Sequence, residues 1–270
     1  MNHAAALRIA ALASLVTVCA CGSRDGDAHF NGGIPSPLGD GLRIKQVTDP
    51  SLPDHPASTS NVDITGAAVL WIDTYDETHD GKSRGTVYLE DADGTSAPWS
   101  GISLYKPTFI PANLKVAPGD VLDLTGQYQE NNKIGTSVTF GAGQVLAQMF
   151  QPQVRFRYEG PEPVARVIPA SALGNYVTGR PYIGMLVTVE NITFPGELVD
   201  NGSGRNVASL TNDISSNGPT VTNELYDLKS WNALNQGFKK GGHVKSITGV
   251  VTFFFNLHVA PRRAEDIVIE

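Results

Sequence analysis

With 270 residues, 41% of them apolar and 17% charged, the chain is long enough for two domains of ordinary size, each with its own core. Glycine (28) and proline (17) are abundant and Val, Ile and Thr recur in short runs, which favours strands and turns over helices. A formal charge of −7 works against non-specific binding of phosphate backbones, whose affinity comes from Lys and Arg, so nucleic acid is disfavoured as a partner.

Residues 1–20 read as an export signal, in which Arg8 precedes the apolar run Ile9 to Val18. That run is shorter than the roughly 20 residues a bilayer span needs. It ends in Val18-Cys19-Ala20-Cys21, with a branched apolar residue three before the last cysteine and small residues between. This resembles a bacterial lipobox. The resemblance implies cleavage before Cys21, palmitate-type acyl chains on its thiol and new amino terminus, and a membrane partner through that anchor. The protein is then exported and held in the cell envelope, and Gly22 after the cysteine, where an Asp would signal inner-membrane retention, points to the outer membrane. Cys19 is the poorer acceptor because Val18 before it is bulky. With Cys21 lipidated, disulfides, thiol catalysis and Cys-ligated zinc are excluded. Residues 21–42, rich in Gly, Asp, Ser and Pro, read as a flexible tether.

Residues 43–150 read as a first small β domain. A short alternating lead-in (Leu42 to Val47) and a Pro-rich hinge precede a strand from Val62 to Ile72. The acidic loop Asp73 to Gly81 follows, then a strand at Gly85 to Asp91, the hairpin signal Asp93-Gly94, and a third strand at Ser100 to Tyr105. The fourth opens at Gly119-Asp120-Val121-Leu122-Asp123-Leu124-Thr125-Gly126, and a fifth is expected near Thr136 to Phe140.

Most of the Gly119–Gly126 signature recurs 123 positions later as Gly242-His243-Val244-Lys245-Ser246-Ile247-Thr248-Gly249. The same offset carries the strand at Val62–Gly66 onto Met185–Val189, so two copies of one β unit are expected. Residues 151–164 read as a linker around Gly160-Pro161 and residues 165–270 as the second domain. Pro169 to Leu173 opens a short helix there, and a Gly-rich hairpin spans Asp200 to Gly204.

Five short strands between turns predict an all-β architecture, two small Greek-key barrels of the OB type in tandem after the leader and tether. The runs Val62-Asp63-Ile64-Thr65-Gly66-Ala67-Ala68-Val69, Val87-Tyr88-Leu89-Glu90-Asp91-Ala92-Asp93-Gly94, Trp99-Ser100-Gly101-Ile102-Ser103-Leu104-Tyr105 and Gly119 to Glu130 resemble OB-fold domains of bacterial secreted and lipoprotein chains. Some of those accompany extracellular endonucleases. The ending from Gly249-Val250-Val251 to Pro261-Arg262 and Asp266-Ile267 resembles the tail that in such relatives precedes a catalytic domain. Reaching Glu270 directly after it implies that the catalytic part is missing.

The sequence carries little reactive chemistry. It has no nucleophile elbow, phosphate loop or dinucleotide fingerprint, and its six histidines are scattered without a zinc spacing. A non-enzyme with no cofactor and no metal site is expected, a binding or scaffolding module for another envelope protein or a glycan. Two alternatives stay open: single-stranded or extracellular nucleic-acid binding, and a hydrolase built on an unrecognised carboxylate pair. The candidate ligand residues are the aromatics Tyr88, Trp99 and Tyr105 beside strands two and three, with Asp76, His79 and Asp80 of the acidic loop. Arg262, Arg263 and Asp266 read as a lock on the last strand rather than a site.

Overall fold

The structure is a computed structural model that describes residues 40–73, 86–105, 116–134, 138–202, 204–212 and 218–269. The export signal, Cys21, most of the tether, and Asp76, His79 and Asp80 of the acidic loop lie outside the described residues. Strands dominate, as the composition predicts.

The first half is a closed five-stranded barrel of β1 (Asn61–Ile72), β2 (Val87–Asp91), β3 (Gly101–Tyr105), β4 (Asp120–Asn131) and β7 (Leu146–Glu159), in the order β1-β2-β3-β7-β4. All neighbours are antiparallel except β3 and β7, and β4 closes onto β1. That is the strand order of an OB-fold, the Greek-key barrel the sequence predicts. Alternation fills it: Ile64 and Val69 of β1, Val87 and Leu89 of β2, and Leu122 and Leu124 of β4 all point into one core.

Two local expectations are corrected. The lead-in is not extended: Ile44–Thr48 form a one-turn helix, α1, whose Ile44 and Val47 enter the barrel core. Its free N–H groups are the reason it can form there, because the Asp91 carboxylate at the end of β2 accepts from Ile44 N at 2.7 Å and Lys45 N at 3.0 Å. The fifth barrel strand is also not at Thr136–Phe140, where β5 (Lys133–Ile134) and β6 (Val138–Thr139) make a separate two-stranded ribbon. It is β7, which runs through residues 151–159 of the expected linker and moves the barrel's boundary past residue 150.

The second half is one open sheet. Its order is β10 (Val199–Asp200), β11 (Asn206–Ser209), β12 (Thr220–Thr222), β14 (Asn256–Ala260), β13 (His243–Phe254), β9 (Leu186–Thr193) and β8 (Arg166–Val167), with β15 (Ile267–Val268) beside β13. The succession β9-β13-β14-β12-β11 repeats β1-β4-β7-β3-β2 of the barrel, including the parallel pair β12 with β14. No pair joins β9 to β10 or β11 among the described residues, so the expected second barrel is not closed. Its core includes Val187 and Val189 of β9 and Ile247 and Val251 of β13. Leu228 and Trp231 of helix α3 (Leu228–Asn235) complete it, with Trp231 stacked 4.9 Å from Phe238.

The halves meet face to face. Leu70 and Tyr88 on the outside of the barrel bury against Leu186 and Val250 of the open sheet. A Cβ on Gly101 would overlap the backbone of Gly184 and Met185, so the two halves touch there backbone to backbone. Arg262 supplies the expected lock: Nε and Nη2 each donate to Asp266 at 3.0 Å, and Nη1 reaches Glu162 at 3.3 Å.

Candidate ligand-binding cleft

Where the apolar contact between the halves ends, a cleft of about 550 Å³ opens between the outer barrel face and the end of β13. Strand register builds its barrel wall. Tyr88 of β2 lies opposite Ser103 of β3, and Ser103 opposite Gln148 of β7, so the three side chains form one row across the sheet. This is the strand two and three face on which OB-folds take oligonucleotides and oligosaccharides. The opposite wall comes from the open sheet: Asn201 and Arg205 at the β10–β11 hairpin, Glu224, and Thr252 and Phe254 of β13.

The cleft's two kinds of charge are treated differently. Glu224 is tied down, accepting from the Tyr88 hydroxyl at 3.0 Å and from the Thr252 hydroxyl at 2.7 Å. The guanidinium of Arg205 rests 4.3 Å from the centre of the Phe254 ring, and its Nη1 is buried without a hydrogen-bond partner among the described residues. The Ser103 hydroxyl is in the same state in a residue only 3% exposed. Buried donors with no acceptor are uncommon in folded proteins and mark places that a ligand or water completes. Lys133, on the rim, donates its backbone N–H to the Asn131 side-chain oxygen and pairs with Thr139 in the β5–β6 ribbon.

Of the predicted ligand residues, Tyr88 is in the cleft wall, facing away from the barrel core as alternation requires. It is 7% exposed because the second half covers it, so its hydroxyl rather than its ring face is what the cleft sees. Trp99 is elsewhere. It sits in the β2–β3 connection with φ of 75°, donates its N–H to Pro181 O at 2.6 Å, and lies under the Arg180 guanidinium at 5.4 Å. It joins the halves. Tyr105 ends β3, but its side chain is outside the described part. Ser103, Arg205, Glu224 and Phe254 were not singled out in the sequence. Ser103 was findable, since it alternates with Ile102 and Leu104 on a strand already assigned.

Two strongly shifted carboxylates lie nearby on β2, outside the cleft. Glu90, fully buried, accepts from Leu186 N at 3.0 Å and from the Ser100 hydroxyl at 3.1 Å, so it bridges the halves. Burial pushes its pKa up to about 7 against the pull of those donors, and the Asp91 charge adds to the rise. Burial likewise raises Asp91 to about 6, opposed by the α1 N–H groups it caps. On β14 burial lowers the pKa of His258, whose Nδ1 is 2.6 Å from the Thr220 hydroxyl. Among the described residues no group of three or more His, Cys, Asp or Glu is placed to hold a metal, and no helix is long and apolar enough to cross a membrane.

No protein-family model matches the chain, and neither does any curated protein. Among solved structures it is similar to the crystal structure of the p204 HINb domain, at 12% identity and a TM-score of 0.26, over 77% of this chain and 95% of that one. At that level the strand pairing remains the ground for the fold.

Proposed function

We propose that the protein is a lipid-anchored envelope module that binds a saccharide in the cleft between its two halves and has no catalytic centre of its own. The observation that carries this reading is the Tyr88–Ser103–Gln148 row, a polar stripe on the OB ligand face that faces an open cavity of ligand size. Hydroxyls and amides with a few charges suit a polyhydroxylated ligand better than an apolar one. The carboxylates with raised pKa values do not argue for hydrolysis, because Glu90 holds the two halves together and Asp91 caps a helix. Nucleic acid is the weaker reading, since the whole chain is acidic. Lipid at Cys21 and a tether from 21 to 42 would let the cleft stand off the membrane surface.

Two experiments test this. Titration of a saccharide panel against the full chain should show binding that Gln148→Ala and Phe254→Ala weaken; binding unaffected by both would remove the cleft from the account. Cys21→Ala should move the protein from the membrane pellet to the soluble fraction, and retention in the pellet would dismiss the anchor.

A further inference from the structure

Glu224 and Arg205 of the cleft are not in the same state. Glu224 already accepts two hydroxyl donors, one at each carboxylate oxygen, so its acceptors are engaged within the protein. Arg205 has no carboxylate partner among the described residues, and its Nη1 is buried without an acceptor. It approaches the cleft over the Phe254 ring, which contributes no hydrogen-bond acceptor in the ring plane. The Ser103 hydroxyl, on the facing wall, lacks an acceptor among the described residues as well, and the exposed Lys133 lines the rim. Two walls from opposite halves therefore offer unfilled donors to one space.

We propose that the cleft selects an acidic saccharide, one whose sugar carboxylate accepts from Arg205 Nη1 and the Ser103 hydroxyl while its remaining hydroxyls meet the amides of Gln148 and Asn201. This inference rests on the cleft being the binding site. A carboxylate is the group that fits. It accepts from both donors at once, and charge-assisted bonds to a guanidinium are about twice as strong as neutral ones. Desolvating Arg205 is costly, and the neutral oxygens of an uncharged sugar would recover less of that cost than a carboxylate does. Lys133 at the mouth would add attraction that falls with salt.

The test uses the full-length chain in detergent micelles, titrated with fluorescent tetragalacturonic acid and with its fully methyl-esterified form. The acid should bind and the ester should bind roughly tenfold more weakly, the loss expected for a charged hydrogen bond. Arg205→Gln should lower affinity for the acid by a similar factor and leave the ester unchanged. Among the described residues its guanidinium packs on the Phe254 ring, and a melting curve checks that the variant folds. Lys133→Gln should flatten the salt dependence of acid binding alone. Equal binding of acid and ester, or an Arg205→Gln loss equal for both, overturns the acidic preference and leaves the cleft reading standing. Failure of both saccharides overturns both. Tighter, Arg205-dependent binding of a thymidine decanucleotide would instead assign the donors to phosphate and refute the sugar.

Discussion

Glu90→Gln should make the protein more stable at pH 8 and almost independent of pH between 5 and 8 in its Glu90 contribution. In the native state the carboxyl is fully buried at the junction of the halves and titrates near 7, against 4.5 for the free group. A folded-state pKa above the unfolded value means that the native state holds the proton more tightly. The associated stability is complete below pH 4.5 and is lost as pH rises through 7. A shift of that size corresponds to roughly 3 kcal/mol by pH 8, an upper figure because the two donors to the carboxylate recover part of the cost of its burial.

Glutamine keeps an oxygen for Leu186 N–H, and the Ser100 hydroxyl can turn to suit the amide. It never ionises. Urea unfolding at pH 5 and pH 8 should show wild type losing clearly more stability across that window than Glu90→Gln, which keeps only the smaller loss from Asp91, with a melting temperature at pH 8 higher than wild type by roughly 4 to 10 °C. Asp91 titrates in its own lower window near 6, so the difference between the two proteins, and not either curve alone, isolates Glu90. Glu90→Ala is the contrasting control, because it leaves two buried donors unanswered and should be destabilised at both pH values. If Glu90→Gln is less stable than wild type by the same amount at pH 5 and pH 8, the carboxyl is not titrating in the junction and the reasoning fails.

Gly184→Ala should cost about 1 to 3 kcal/mol in urea unfolding, since φ there is +82° and a Cβ would stand 2.8 Å from Ile102 N. Arg262→Ala should cost about 3 to 5 kcal/mol by the same measurement, leaving Asp266 buried without its guanidinium. Asp227→Ala should remove the acceptor shared by Lys229 N and Ser230 N at the head of α3 and cost about 1 kcal/mol.

The sequence was most legible where one alternation sufficed. Val87, Tyr88 and Leu89 could be sorted into core and outer face without coordinates, and the sorting is as observed. What covers Tyr88 could not be read, because its partners Glu224 and Leu186 are more than 90 residues away and mark themselves by no motif. The strand β7 was missed although Gln153 to Tyr158 alternates strictly, because Pro152 interrupts the run where a ladder N–H would be expected. The structure accommodates that proline at a register shift between Thr125 and Gln127, opposite Gly126, whose absent Cβ would lie 2.7 Å from Pro152 Cα. A glycine on one strand licenses a proline on its neighbour, and that pairing is visible only once the two strands are side by side. Helix α3 was missed for a plainer reason: eight residues with few apolar positions give a weak period.

The internal repeat reaches further than the two matched strands, and its divergence explains the cleft. Leu42 bridges Ile64 in parallel in the first half; Arg166 pairs with Val187 in parallel in the second, an offset of 123 for the partner and 124 for the lead-in. A one-turn helix follows each lead-in, α1 in one case and the 3-10 turn Ala170–Leu173 in the other. The copies part company at the closing edge. β1 continues to Ile72 and carries β2 along its second half. At the same offset β9 has Asn191 with φ of 54° in place of Ala68, and Pro195 in place of Ile72. The left-handed residue interrupts the extended run and the proline just past the strand has no N–H to donate, both of which disfavour a partner along that edge such as β2 on β1. β10 and β11 instead form the far edge of the sheet beyond β12, and Arg205 beside their hairpin lines the cleft on the barrel's ligand face. A second closed barrel would have kept that hairpin against β9 and left the Tyr88–Ser103–Gln148 row with one wall.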